Sequence, residues 1–213
     1  MTLDKTLKIN ILGFGDSLTA GFPGYDPSYR MGNEKSQYSY WLIDSAKQEG
    51  WQNIEFDNKG VPGELAQYMF SRLVTLLGKK SYDLIIILGG TNDIGWNIDP
   101  LPIFENLRRL WMTAKESGAN VIACTVPPIG SVYLPVQKAQ EELNQKILKE
   151  ISPNDKIFRI DLFNALVNEE GLLKPDYDSG DGVHLSIEGY KRMGEFIWTE
   201  GIHPLLKREF QEK

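Results

Sequence analysis

Asp83-Leu84-Ile85-Ile86-Ile87-Leu88, followed at once by Gly89-Gly90, is the stretch that decides the fold. Apolar residues at consecutive positions, several of them β-branched, describe a strand covered on both faces rather than one half-exposed to water. Comparable runs stand at Leu7–Gly13, Ile54–Asn58, Val121–Val126 and Ile157–Leu162. Between them the apolar period becomes helical. Ile103, Leu107, Leu110, Trp111 and Ala114 share one stripe, as do Val136, Ala139, Leu143, Ile147 and Ile151. Ser36–Glu49 and Glu64–Leu77 are expected helices with a less regular pattern, and Ile187, Tyr190, Met193 and Ile197 mark a closing helix. Strands alternating with helices imply an α/β fold: a five-stranded parallel sheet with helices on both faces, expected as a single domain over residues 1–213.

In such sheets ligands bind beyond the carboxyl ends of the strands. The long connections Phe22–Lys35, Asn92–Pro102 and Pro127–Pro135 all leave from that edge, and Gly171–Val183 should reach the same rim. A site is therefore expected there from architecture alone.

Composition narrows the function. The 213 residues carry a net charge of −6, without the clustered Lys and Arg that phosphate binding needs, so no nucleic-acid partner is expected. No apolar run approaches the ~18 residues of a membrane span. Met1 to Lys8 lacks the basic start, apolar stretch and cleavage site of a signal peptide, so a cytoplasmic location is expected. The single cysteine, Cys124, excludes an internal disulfide and lies in an apolar strand, where a buried thiol is expected. The sequence leaves oligomeric state open.

Ser17 follows the first strand in Leu12-Gly13-Phe14-Gly15-Asp16-Ser17-Leu18-Thr19-Ala20-Gly21. Small neighbours allow a sharp turn that presents a nucleophile at the sheet edge; a helix N-cap is the plainer alternative. A serine nucleophile needs a base, and the chain offers two histidines. His203, beyond the closing helix, is read as structural. His184 stands in Asp181-Gly182-Val183-His184, where a carboxylate three residues away can hold Nδ1–H and leave Nε2 for the serine proton. Asp178 is the fallback for that role. Donors for an oxyanion are available in Asn58-Lys59-Gly60-Val61-Pro62-Gly63-Glu64 and Gly89-Gly90-Thr91-Asn92-Asp93, both at strand ends.

These segments together resemble the SGNH (GDSL) hydrolases, with all four blocks in family order from residue 13 to 190. The resemblance implies a three-layer α/β/α sandwich, flavodoxin-like in outline. It implies Ser17, His184 and Asp181 as the triad, and Ser17 N–H, Gly63 N–H and the Asn92 amide as the oxyanion hole. Pro62 and Glu64 are unusual neighbours for Gly63, which leaves Gly60 as the alternative donor. No cofactor or metal is implied.

The expected reaction is hydrolysis of a small-molecule carboxylic ester through an acyl-enzyme. A short acyl or acetyl group is the preferred substrate, with a sugar ester among the options; a lysophospholipid or thioester is the alternative. No apolar flap suggests an interfacial lipase. Asp16, Tyr25, Trp96 and Tyr133 are the candidate substrate contacts, with Tyr29 also on the rim. Two other classes compete: a non-catalytic flavodoxin-like binding module, and a metal or phosphotransfer site using Asp16 and Asp93.

Overall fold

The computed structural model describes residues 4–151 and 157–211, the last three by backbone alone. The start of the Met1–Lys8 stretch and both ends of the unit expected over 1–213 lie outside them. In chain order the elements begin β1 (Ile9–Gly15), α1 (Ser17–Ala20), β2 (Tyr25–Asp26), β3 (Met31–Gly32), α2 (Tyr38–Gln48), β4 (Ile54–Gly60), α3 (Ala66–Leu77) and β5 (Leu84–Leu88). There follow α4 (Thr91–Gly95), α5 (Pro100–Glu116), β6 (Asn120–Cys124), α6 (Leu134–Lys149), β7 (Ile157–Ile160), α7 (Leu162–Leu166), α8 (Ile187–Phe196) and α9 (His203–Gln211).

The main sheet runs β4-β1-β5-β6-β7, and every pairing in it is parallel. Alternate side chains of each strand enter different cores, as the two-residue pleat requires. Ile9, Ile11, Leu84, Ile86 and Leu88 face α2, α7 and α8. Leu12, Phe14, Ile85 and Ile87 face α3, α5 and α6. The expected three-layer α/β/α sandwich is the observed one.

Boundaries differ where local chemistry intervenes. β1 begins two residues later than expected and runs on to Gly15, because Leu7 stays exposed while Phe14 is buried and Gly15 pairs with both Gly60 and Leu88. β6 and β7 end early: Thr125 N–H still reaches the Ile160 carbonyl at 3.0 Å, but Val126 pairs with the Asn144 side chain, and Asp161 turns to cap α7. Asn92–Pro102 is largely helical, split between α4 and the start of α5, rather than a long loop. Phe22–Lys35 carries the small antiparallel β2–β3 pair. The closing helix does not stop before His203; it continues through a wide π turn, Ile197–Ile202, into α9. Pro204 has no N–H to donate to the ladder there, which suits a wide turn.

Candidate active site

Gly15 ends β1 where a side chain has no room: a Cβ would lie 2.3 Å from the Leu88 carbonyl oxygen and 2.3 Å from Thr19 Oγ1. The chain turns immediately into α1. Asp16, not Ser17, is the cap of this helix, its carboxylate accepting from Leu18 N–H at 3.0 Å. That releases the Ser17 hydroxyl from the capping role considered above. Ser17 Oγ lies 3.0 Å from His184 Nε2, and His184 Nδ1 lies 2.6 Å from Asp181 Oδ2. Residues separated along the chain thus form one continuous hydrogen-bonded line.

The loop that carries Asp181 and His184 is tightly wound. Asp181 Oδ1 accepts the N–H groups of Val183 (2.9 Å) and His184 (2.8 Å). Burial alone would raise the Asp181 carboxyl, but the His184 and Val183 N–H groups and the imidazole hold it down at about 2. It is ionised throughout the neutral range. Asp178 does not orient the imidazole; its carboxylate accepts from Gly180 and Gly182 N–H and forms the turn beneath. On the far side, Gly130 N–H donates to the Gly182 carbonyl at 2.6 Å, tying the histidine loop to the connection after β6.

At the end of β4, Gly60 N–H is occupied by Asn58 Oδ1 at 3.0 Å. Gly63, at φ +79°, has an N–H with no hydrogen-bond partner among the described residues. The Asn92 amide donates to the Glu64 carbonyl at 3.1 Å, leaving its second N–H for another acceptor. Glu64 is itself anchored by an ion pair with Arg72. The Arg72 guanidinium also donates to the carbonyls of Lys59 (2.6 Å) and Gly15 (3.2 Å) and covers the Phe14 ring at 4.0 Å. One cation thereby fixes the β1 and β4 ends relative to the loop that holds Asn92.

The remaining candidates separate. Asp16 has no exposed surface and lies beneath the nucleophile turn, not in the cleft. Burial pushes its carboxyl up to about 7; the Leu18 N–H opposes this, and the charges of Asp93 and Glu64 reinforce it. Asp93 accepts from Ala66 N–H and so caps α3, which accounts for both carboxylates of the metal or phosphotransfer alternative. Trp96, 75% exposed, helps line a cavity of about 370 Å³ that starts at Asn92 and includes Ile129, Val136 and Val183. Tyr133 is exposed at the start of α6 but is not part of that lining. Tyr25 faces a different, polar cavity beside Asn58 and Lys59. Cys124 is buried at the end of β6, which pushes its thiol up and out of reactive range. His203 stacks on Trp198 and lies 3.0 Å from Glu49, as a structural histidine would.

Three features escaped the sequence reading: Arg72, the Gly130–Gly182 contact, and Phe22, whose ring meets the His184 imidazole edge-on at 4.6 Å. Arg72 did carry a signal, since a cation beside Met69 and Leu73 on an apolar helix face needs buried partners.

A model of the GDSL-like lipase/acylhydrolase family matches residues 14–192. An arylesterase of Vibrio mimicus is 29% identical over 198 residues, covering 92% of this chain and 89% of that protein. Among solved structures, TesA superposes with a TM-score of 0.73 at 19% identity, covering 92% of this chain and 99% of its own. The Clostridium thermocellum family 3 carbohydrate esterase gives 0.73 at 19% identity, covering 95% and 98%. No helix among the described residues is long and apolar enough to cross a membrane.

Proposed function

The chain belongs to the GDSL-like lipase/acylhydrolase family and is a carboxylic ester hydrolase; from that premise we propose that it cleaves small acyl esters through a Ser17–His184–Asp181 triad. The observation that carries the assignment is the unbroken line from Ser17 Oγ through the imidazole to Asp181, at 3.0 and 2.6 Å.

In the proposed reaction His184 Nε2 takes the Ser17 proton as Oγ forms a bond to the ester carbonyl carbon. The developing oxyanion is received by the N–H groups of Ser17 and Gly63 and by Asn92. Gly63 is favoured over Gly60 because its N–H is uncommitted. The bond from carbon to the leaving oxygen breaks, and the imidazolium returns its proton to that oxygen. A water then attacks the acyl-enzyme with the same proton traffic, releasing the acid and restoring Ser17. Asp181, held ionised, keeps Nδ1 protonated and balances the transient imidazolium charge.

The cavity beginning at Asn92 is proposed as the acyl pocket. Its lining of Ile129, Val136, Val183 and Trp96 suits an apolar acyl group. The decisive experiment has two arms. A small organophosphonate should label wild-type protein at Ser17 and leave Ser17→Ala unlabelled. A panel of p-nitrophenyl esters, run beside acetylated sugars, should show activity falling beyond the shortest acyl chains. Full activity in Ser17→Ala refutes the triad; a maximum at long chains refutes the acyl assignment.

A further inference from the structure

Beside β4, the edge strand of the sheet, two cavities meet at Tyr40. One, of about 410 Å³, is lined by Tyr25, Gln37 and Asn58 among others; the second, of about 250 Å³, continues past Asp44 and Lys47. Both are lined by Glu34, Tyr40 and Ile43, so they are two parts of one groove. Tyr40, Ile43, Asp44 and Lys47 recur at steps of three and four residues in α2, the spacing of a single helix face. Neither cavity is lined by Ser17, Gly63, Asn92 or His184, which sets the groove apart from the ester cleft.

The groove is built around Gln37, which is only 9% exposed. Its Oε1 accepts from Asn58 Nδ2 at 3.0 Å and from Ser39 Oγ at 2.8 Å. Asn58 is itself anchored on the carbonyls of Thr19 (2.9 Å) and Ala20 (3.3 Å). These bonds fix the amide and turn its NH2 end to the cavity, where it has no hydrogen-bond partner among the described residues and is not sealed in the interior. Buried amide donors are normally paired, so these two N–H groups are available to a ligand acceptor. Tyr25 and Tyr40 add two rings with hydroxyls, and the Tyr40 ring is steadied edge-on by Trp41 at 5.1 Å. Arg30, Lys47 and Lys59 stand against Glu34, Asp44 and Asp57, so the groove has no net charge to attract an ion. We propose that this groove binds a neutral oligosaccharide at a site separate from the ester cleft. Sugar hydroxyls accept from the Gln37 amide and Arg30 and donate to Glu34, while the flat face of a sugar ring packs on Tyr40. A groove that continues on both sides of Tyr40 suits a chain of sugar units rather than one.

The test uses probes without an ester, so that binding is read apart from catalysis. Xylotetraose and cellotetraose serve as neutral chains and tetragalacturonic acid as an anionic one, each titrated calorimetrically into the wild-type protein. Saturable binding of at least one neutral chain, in the millimolar range or tighter, is expected and should persist in Ser17→Ala. Tyr40→Ala should weaken it about tenfold, the scale of a lost aromatic contact. Gln37→Glu keeps the oxygen that Asn58 and Ser39 contact but removes the NH2 donors, and should weaken binding as much. Arg30→Ala, in the exposed connection between β2 and β3, should weaken binding without touching the core, so a fold defect in Gln37→Glu does not end the test. Four outcomes overturn the proposal: no binding of either neutral chain, tighter binding of the anionic chain, binding lost in Ser17→Ala, or affinities unchanged in both Tyr40→Ala and Arg30→Ala. The groove does not depend on the triad. Failure of an organophosphonate to label Ser17 would refute that reading and leave the calorimetry to decide this one.

Discussion

Replacing Gly130 by alanine tests how firmly the histidine loop is positioned from outside the triad. A Cβ at this position would stand 2.9 Å from Gly182 Cα and 3.2 Å from the Gly182 carbonyl oxygen. Both are backbone atoms, so no side-chain rotation relieves the clash. Carbon atoms pack at about 3.5–4.0 Å, so the two segments must part by roughly 0.6–1.1 Å. The side that yields is set by what holds each one. The Gly130 connection is clamped to α6: Gln140 donates to the Pro127 carbonyl, Gln137 to the Ser131 carbonyl, and Asn144 pairs with both backbone groups of Val126. Gly182 is held by its turn and the Asp178 carboxylate, so the histidine loop should move. Misplacement of about 1 Å can cost 10²-fold in rate, so kcat/KM for p-nitrophenyl acetate is expected to fall about 10- to 100-fold. Thermal melting should show a folded protein, and adding Gln140→Ala, which loosens the clamp, should recover part of the loss. Gly130→Ala activity within about twofold of wild type would refute the claim that this contact sets the imidazole.

Asn92→Ala is expected to lower turnover about 10²–10³-fold, the usual cost of one oxyanion donor, with Ser17 still open to slow phosphonylation; unchanged turnover would remove Asn92 from the hole. Asp16→Asn should flatten the pH dependence of stability. The Asp16 carboxyl lies near 3.8 when unfolded and about 7 when folded, so the folded protein binds the extra proton. Its stabilising contribution is complete below 3.8 and is lost as pH rises through about 7, a change on the order of a few kcal/mol. Urea unfolding at pH 5 and pH 8 should show wild type losing more stability than the variant over that interval; parallel losses would contradict the burial argument.

What was legible in the sequence followed from local pattern. Leu84–Leu88 reads as a buried strand because its whole run is apolar, and it is buried at each position. The α5 and α6 stripes were long enough for their period to show. Asn92–Pro102 reads as loop because the five residues of Thr91–Gly95 are too few to display a helical period. Ser17, Asp181, His184 and Asn92 were legible because each sits beside a glycine turn at a strand end or rim. Gly130 and Phe22 had no such signal. Their significance comes from contacts with Gly182 and His184, which are distant in sequence, and an unremarkable glycine or phenylalanine announces neither.

Asp16 and Asp181 illustrate why residue type alone could not assign roles. Asp16 is adjacent to Ser17 in sequence, and Asp181 is distant. The environments reverse the naive expectation. Asp181 gathers two backbone N–H groups and an imidazole, remains an anion at about 2, and faces the base. Asp16 has one N–H and a buried second oxygen without a partner, and its carboxyl rises to about 7. A permanent negative charge directly beneath Ser17 would oppose formation of the oxyanion, whereas the same charge behind His184 stabilises the imidazolium. Burial thus raises the carboxyl where a charge would work against the proposed reaction, and hydrogen bonding lowers the one where a charge assists.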